Sequence, residues 1–464
     1  MKSLMRRWLP AMALALAALA PVQTHARSDP TEQLANDRRA VVTAVVDTDE
    51  KRLTIGAIPG GTPVAHRYLH GTILDDAKFQ LLLPDQWNGK VIIHTRGFSG
   101  NEFSTGGFLP AALAKGYAFA ASDEGWNRVT IPNQPEDDYY ESRQRIVELT
   151  VYMNRTVRAH YGTASTRTLL MGGSNGGHHT KWMVEDFPNL FDGGIAGYGY
   201  NGNISQWGGV AQVVRNYDII APRIDDIIAR RAADPDWDPF NEQLSPPLTG
   251  AQLVALSNIY DIPAKLENGF AYNAGRVPGS EAVLKQQYPN LVGYLRDSMG
   301  ELDPTFNPFG GDLTNEELGL WNANKSPGYI KRQLRQLDLT GRLKRPVIIM
   351  HGTYDVTVSP RETEGYQRLV ERVLGRRAEQ FLAVYYIPGM GHGGTQFTNL
   401  IGAQIDALEA WIDYHQSNGR RGAPAPATLG GYPRVAPGAS GLPPIPDATV
   451  QDKKGNKGRR WRAD

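Results

Sequence analysis

The stretch Met171-Gly172-Gly173-Ser174-Asn175-Gly176-Gly177-His178 constrains this chain more than any other. Thr168-Leu169-Leu170-Met171 before it is apolar and reads as a buried strand, and His178 to Phe187 after it reads as a helix. A strand that turns straight into a helix forces the corner residue, Ser174, to positive φ. Glycines two positions before and after it remove side chains that so tight a turn could not hold. The serine oxygen then stands at the carboxyl end of the sheet. The Asn175 N–H, at the helix start, points to where a carbonyl oxygen would become negative. Without partners, the same stretch also reads as a glycine-rich loop with an incidental serine.

A serine nucleophile needs a base, and the base needs an acid to orient it. The chain supplies candidates for both, each just beyond an apolar strand-like run. Asp355 lies in His351-Gly352-Thr353-Tyr354-Asp355, after Val347-Ile348-Ile349-Met350. His392 lies in Pro388-Gly389-Met390-Gly391-His392-Gly393-Gly394, after Leu382 to Ile387. Singly, Asp355 reads as a turn aspartate, and His392 as a loop histidine or a metal ligand. Jointly they follow the order Ser, Asp, His expected of an α/β-hydrolase. The second oxyanion donor is expected in the loop Thr95-Arg96-Gly97-Phe98, and Gly97 is the candidate, although the loop also reads as an ordinary turn. His178 and His179 read as packing residues, and His94 and His351 as residues that shape the site.

Strand-like and helix-like runs alternate from Phe79 to Gly197, the pattern of a doubly wound, mostly parallel α/β sheet. The rhythm breaks at Tyr198. Residues 198–340 carry helical segments (218–231, 249–260 and 280–299), prolines and many aromatics, including Tyr200, Trp207, Trp237, Phe270, Tyr272, Phe306, Phe309 and Trp321. This stretch is expected to form a lid inserted between the two parts of the core, 27–197 and 341–418. Residues 419–464 are rich in Gly, Pro and Ala and are expected to form a mobile tail.

Residues 1–26 have the build of a secretory signal peptide: Lys2, Arg6 and Arg7, then an apolar run from Leu9 to Val22, then Thr24-His25-Ala26. A secreted or periplasmic protein is therefore expected. Its removal takes three positive charges from a chain of net charge +1, leaving −2. That balance gives no reason to expect nucleic acid or a membrane surface as partner. The chain of 464 residues has no cysteine, which excludes thiol catalysis and Cys-ligated zinc.

In register along much of the chain, the sequence resembles the tannase and feruloyl esterase family. The resemblance is carried by Leu83-Pro84-x-x-Trp87-Asn88-Gly89-Lys90, Ala112 to Tyr117 with Ser122-Asp123, Ser174-Asn175-Gly176-Gly177, Phe187-Pro188-x-x-Phe191-Asp192-Gly193, Leu248-Thr249-x-Ala251-Gln252 with Ile259-Tyr260, His351-Gly352-x-x-Asp355-x-x-Val358-x-Pro360 and Pro388-Gly389-Met390-Gly391-His392. It implies an α/β-hydrolase with a lid and a serine esterase acting without a cofactor on bulky or aromatic esters of tannin or feruloyl type. The triad alone also fits a hydroxyalkanoate-type polyester-oligomer hydrolase, a serine peptidase or a non-catalytic binding protein. The family usually places paired cysteines just before the nucleophile and just after the histidine. Here those positions are Gly173 and Gly393. The acidic residues Asp225, Asp226, Asp234, Asp236 and Asp238 do not repeat the family's calcium-loop spacing, and no metal is expected.

Overall fold

The computed structural model describes residues 29–442 apart from 38, 56–62, 75–76, 99, 126–140, 236, 238, 241, 261–279, 309–310, 324 and 418–424. The expected signal peptide and the basic cluster from Lys453 to Arg462 lie outside the described residues. After helix α1 (Pro30–Asn36) come strands β1 (Ala44–Ile55), β2 (Pro63–Ile73), β3 (Ala77–Pro84) and β4 (Lys90–Thr95). Then follow α2 (Phe108–Ala114), β5 (Ala118–Ser122), α3 (Ser142–Tyr161), β6 (Arg167–Gly173), α4 (Asn175–Asp186) and β7 (Gly193–Gly197). A helical stretch holds α5 (Asn203–Ile220), α6 (Ile224–Ala233), α7 (Gly250–Tyr260), α8 (Ser280–Leu302), α9 (Asn315–Leu318) and α10 (Gly328–Gln336). The sheet resumes with β8 (Val347–Gly352), α11 (Pro360–Leu374), β9 (Leu382–Ile387) and α12 (Thr395–Ser417).

The nine strands form one sheet in the order β1-β2-β3-β5-β4-β6-β7-β8-β9. β1, β2 and β3 pair antiparallel, β3 pairs antiparallel with β5, and every pairing from β5 to β9 is parallel. Strands β4 to β9 are buried on both faces almost throughout, which is why they read as continuous apolar runs. One face of the sheet packs on α3, α4 and α11, and the other on α2 and α12. The chain is thus a doubly wound, mostly parallel α/β fold of the α/β-hydrolase kind. Among the described residues no helix is long and apolar enough to cross a membrane.

Two expectations need correction. First, the helical stretch does not divide where its sequence implies. The stretch 218–231 is not one helix, because the chain passes from α5 through a short 3₁₀ turn at Ala221–Arg223, with Pro222 inside it, into α6. Of the aromatics named above, Trp237 and Trp321 are core residues, whereas Phe270, Tyr272 and Phe309 lie outside the described residues.

Second, residues 425–442 are not a mobile tail but a strap docked on edge strand β9. Val435 N–H donates to Val384 O at 2.9 Å, Tyr385 Oη donates to Pro426 O at 2.6 Å, and Ala425, Leu429 and Leu442 are buried. Gly430 and Gly431, at φ 58° and 87°, make the turn between the short strands β10 (Thr428–Leu429) and β11 (Tyr432–Pro433). Composition suggested disorder. The strap is ordered because an unpaired edge offers its backbone groups a partner. Leu429→Ala should therefore destabilise the fold by about 2 kcal/mol, at the low end for a buried leucine. Equilibrium urea unfolding checks this, and an unchanged midpoint would mean that the strap does not hold.

Candidate active site

Ser174 sits between β6 and α4 at φ 60°, ψ −126°, a region that non-glycine residues rarely occupy. Its neighbours fix it there. Ser174 N–H donates to Gly197 O, at the end of β7, at 2.9 Å. Thr95, at the end of β4, donates its hydroxyl to Gly176 O at 2.7 Å and lies 2.9 Å from the Thr180 hydroxyl. A Cβ on Gly176 would sit 2.8 Å from Arg96 O, and one on Gly172 would sit 2.6 Å from Thr95 O. The motif glycines are therefore required by the close passage of β4 as well as by the turn.

The structure brings Ser174, His392 and Asp355 together, although they are far apart in sequence. His392 Nε2 lies 2.8 Å from Ser174 Oγ, and His392 Nδ1 lies 2.8 Å from Asp355 Oδ2. The Asp355 loop follows β8 and the His392 loop follows β9. Backbone hydrogen bonds lace the two loops together: Thr353 N–H to Ile387 O at 3.0 Å, and Tyr354 N–H to Met390 O at 2.9 Å. Asp355 is buried. Its Oδ1 accepts from the N–H groups of Thr357 and Val358, both at 2.9 Å. His351 Nε2 lies 3.2 Å from Asp355 Oδ2 and 2.9 Å from Val358 O, so this histidine braces the acid loop from below.

Burial pushes the Asp355 carboxyl up, but the adjacent His392 charge and hydrogen bonds from His351 and His392 outweigh it and hold the group at about 2.

Of the two expected oxyanion donors, Asn175 N–H opens α4, where a helix has no carbonyl one turn back to accept it. Its side-chain oxygen accepts from Tyr200 Oη at 2.6 Å, which orients the residue. Gly97 lines the same cavity as Ser174 and Asn175. The preceding N–H, of Arg96, is taken by Glu124 Oε1 at 3.0 Å.

Sequence reasoning missed this buried support. Arg96, Glu124 and His179 are all buried; Arg96 Nε lies 3.7 Å and His179 Nδ1 2.9 Å from Glu124 Oε2. The Arg96 side chain also donates to Gly97 O at 3.2 Å, tying the oxyanion loop to the end of β5 and to α4. His178 is buried and stacks on Tyr200 at 4.4 Å. His94 lines the cavity against Phe108, and burial drives it down to about 4, so it is neutral at neutral pH.

The cavity has a volume of about 270 Å³ and opens beside Ser174 and His392. Phe98, Phe108, Tyr198, Trp207, Tyr294 and Phe397 give it an aromatic wall. Trp207 comes from α5 and Tyr294 from α8, and Phe98 packs against both with ring centroids 5.6 Å away. Gln206 donates to Thr357 O at 2.6 Å, which fastens α5 to the acid loop. Phe98, Phe108, Tyr294 and Phe397 carried no sequence signal as wall residues, since each looks like an ordinary core aromatic.

Among the described residues no group of three or more His, Asp or Glu could hold a metal ion. Of the acidic residues in the helical stretch, Asp225 pairs with Lys285, Asp226 with Arg223 and Asp234 with Arg230. Asp236 and Asp238 lie outside the described residues.

Residues 71–227, which include the oxyanion loop, the elbow and α5, match the family model described as tannase and feruloyl esterase. Over those residues the chain is similar to the tannase and feruloyl esterase family. Its fold is similar to that of feruloyl esterase B from Aspergillus oryzae (TM-score 0.58, 17% identity, 81% of this chain and 88% of that one). It is also similar to tannin acyl hydrolase from Aspergillus niger (TM-score 0.51, 16% identity, 84% of each chain). A stretch of 142 residues is 25% identical to mono(2-hydroxyethyl) terephthalate hydrolase from Piscinibacter sakaiensis, covering 26% of this chain and 23% of that relative. The match thus spans about a quarter of the curated relative.

The Asp355 carboxylate is favoured by folding, because its value falls from the ordinary 3.8 to about 2. It stabilises the fold fully above about pH 4, and the contribution, about 2 kcal/mol, is lost as pH falls towards 2. Asp355→Asn should flatten the fall of urea-unfolding stability between pH 4 and pH 2. Parallel losses in the two proteins would contradict this origin of the shift.

Proposed function

We propose that the chain is an exported serine carboxylic-ester hydrolase acting on bulky or aromatic esters through an acyl-enzyme. The observation that carries this reading is the continuous relay Ser174–His392–Asp355 opening onto an aromatic-walled cavity. Ser174 Oγ attacks the ester carbonyl while His392 Nε2 takes its proton. The tetrahedral oxyanion is held by the N–H groups of Asn175 and Gly97. Its collapse expels the alcohol or phenol, which receives the proton back from His392. A water then attacks the acyl group by the same route and frees Ser174. Asp355 keeps the imidazole in the tautomer with its proton on Nδ1 and stabilises the imidazolium.

The helical stretch 198–340 serves as the lid, because α5 and α8 contribute Trp207 and Tyr294 to the wall of the cavity that Ser174 lines. Aromatic walls suit an aromatic acyl or alcohol group. The names of the relatives support that choice, since feruloyl and terephthalate groups are aromatic acids. Export rests on the amino-terminal sequence. The reading needs no cofactor, and its partner is a small or oligomeric ester.

The test combines active-site labelling with a substrate panel. A fluorophosphonate should label Ser174 in the folded chain. Aryl esters should be cleaved faster than hydroxyalkanoate oligomers or peptide amides. Ser174→Ala should abolish labelling and lower kcat by roughly 10⁴-fold or more. Absence of an adduct would favour a non-catalytic binding protein, and amide cleavage without ester preference would favour a peptidase.

A further inference from the structure

Tyr198 is the residue that follows β7, and it stands at φ 35°, unusual for an aromatic residue. Its N–H donates to Met350 O of β8 at 2.9 Å, so its backbone is locked between two strands. Its ring meets the His392 imidazole edge to face, with centroids 4.9 Å apart and planes at 74°. On another side it meets Phe397 at 5.1 Å and 80°.

Two glycines make room for this phenol. A Cβ on Gly173 would overlap Tyr198 Oη and sit 2.6 Å from Cζ. A Cβ on Gly393 would sit 3.2 Å from Oη and 3.4 Å from Cζ. Gly173 immediately precedes Ser174, and Gly393 immediately follows His392. One ring therefore touches the main chain beside the nucleophile, the main chain beside the base, and the base itself.

We infer that Tyr198 is a positioning residue, a non-covalent strut that holds the His392 loop at hydrogen-bonding distance from the Ser174 elbow. The inference rests on the esterase reading above. Burial, with the Asp355 charge adding to it, pushes the Tyr198 hydroxyl up to about 12, so the ring is neutral at working pH and acts through shape. Gly393, at φ 71°, would be strained by any side chain, so the contact is best probed from Gly173, which lies in strand β6.

The experiment is a double-mutant cycle on the full chain with an aryl ester, reading kcat and KM separately. Tyr198→Ala should lower kcat roughly 10- to 100-fold, the cost of a base displaced by about an ångström, with the smaller change in KM. Tyr198→Phe keeps the ring and should restore kcat close to that of the parent. Gly173→Ala should lower kcat beside Tyr198 and cost little beside Tyr198→Ala, where the space is empty. Additive losses, or a Phe variant as poor as the Ala variant, would overturn the strut.

A second readout does not depend on substrate. In ¹⁵N spectra the His392 imidazole should give one sharp set of signals in the parent and broadened or doubled signals in Tyr198→Ala. Unchanged signals would overturn the inference even if the chain cleaves no ester, and loss of ester cleavage by the parent alone would overturn only the esterase reading. If Tyr198→Ala does not fold, Tyr198→Leu takes its place in the same cycle.

Discussion

The left-handed corner at Ser174 is the constraint on which the rest of the site depends. A serine at φ 60° is held against its own backbone preference, at a cost of order 1–3 kcal/mol, and the surroundings must over-determine it. They do so from both sides. Gly197 O accepts the Ser174 N–H from β7, while Thr95 bonds the first turn of α4 from β4. The corner thus inherits its geometry from the spacing of three neighbouring strands, which the buried sheet makes rigid. A nucleophile placed on a surface loop would have no comparable reference.

The other members follow from the same arrangement. Ligand sites in open parallel sheets lie beyond the carboxyl ends of the strands, because loops from several strands converge there. Here β6 delivers Ser174, β8 delivers Asp355 and β9 delivers His392. The acid is buried and bonded on both oxygens, so it stays ionised and in place. His392 is the more exposed of the pair, with its side chain 16% accessible against none for Asp355. That asymmetry fits a base that has to meet substrate and an acid that only has to meet the base.

The parts of this design that were legible in sequence are those where local chemistry leaves no choice. Gly172, Gly176 and the apolar run before them announce a corner, since a strand turning straight into a helix needs glycine at both places. Asp355 and His392 follow apolar runs in the required order, so their convergence was inferable from topology. The Arg96–Glu124–His179 cluster was not legible, because it joins three segments whose polar side chains would each be exposed in most folds. Nor was the strap at 425–442. Its Gly/Pro composition matches a disordered tail, and only the unpaired edge of β9 makes ordering favourable. The aromatic wall was half legible: Tyr198, Tyr200 and Trp207 stood in the helical stretch, whereas Phe98, Phe108 and Phe397 come from core segments and turn towards the cavity only through tertiary packing.

The pair of glycines at 173 and 393 links these levels. Where the family resemblance implies two cysteines, this chain leaves two hollows, and Tyr198 fills both. Tyr198 leads from the end of β7, the strand between those that carry the nucleophile and the acid. A covalent tie would fix the two loops directly to each other and would depend on an oxidising compartment. A ring anchored on the sheet fixes each loop to the core instead, and holds in any redox environment. The consequence is physical: site geometry and core packing become one system, because the Tyr198 backbone is bonded to β8 and its ring rests on Phe397 of α12. Loosening of the β7–β8 pairing would therefore be transmitted to His392 through Tyr198.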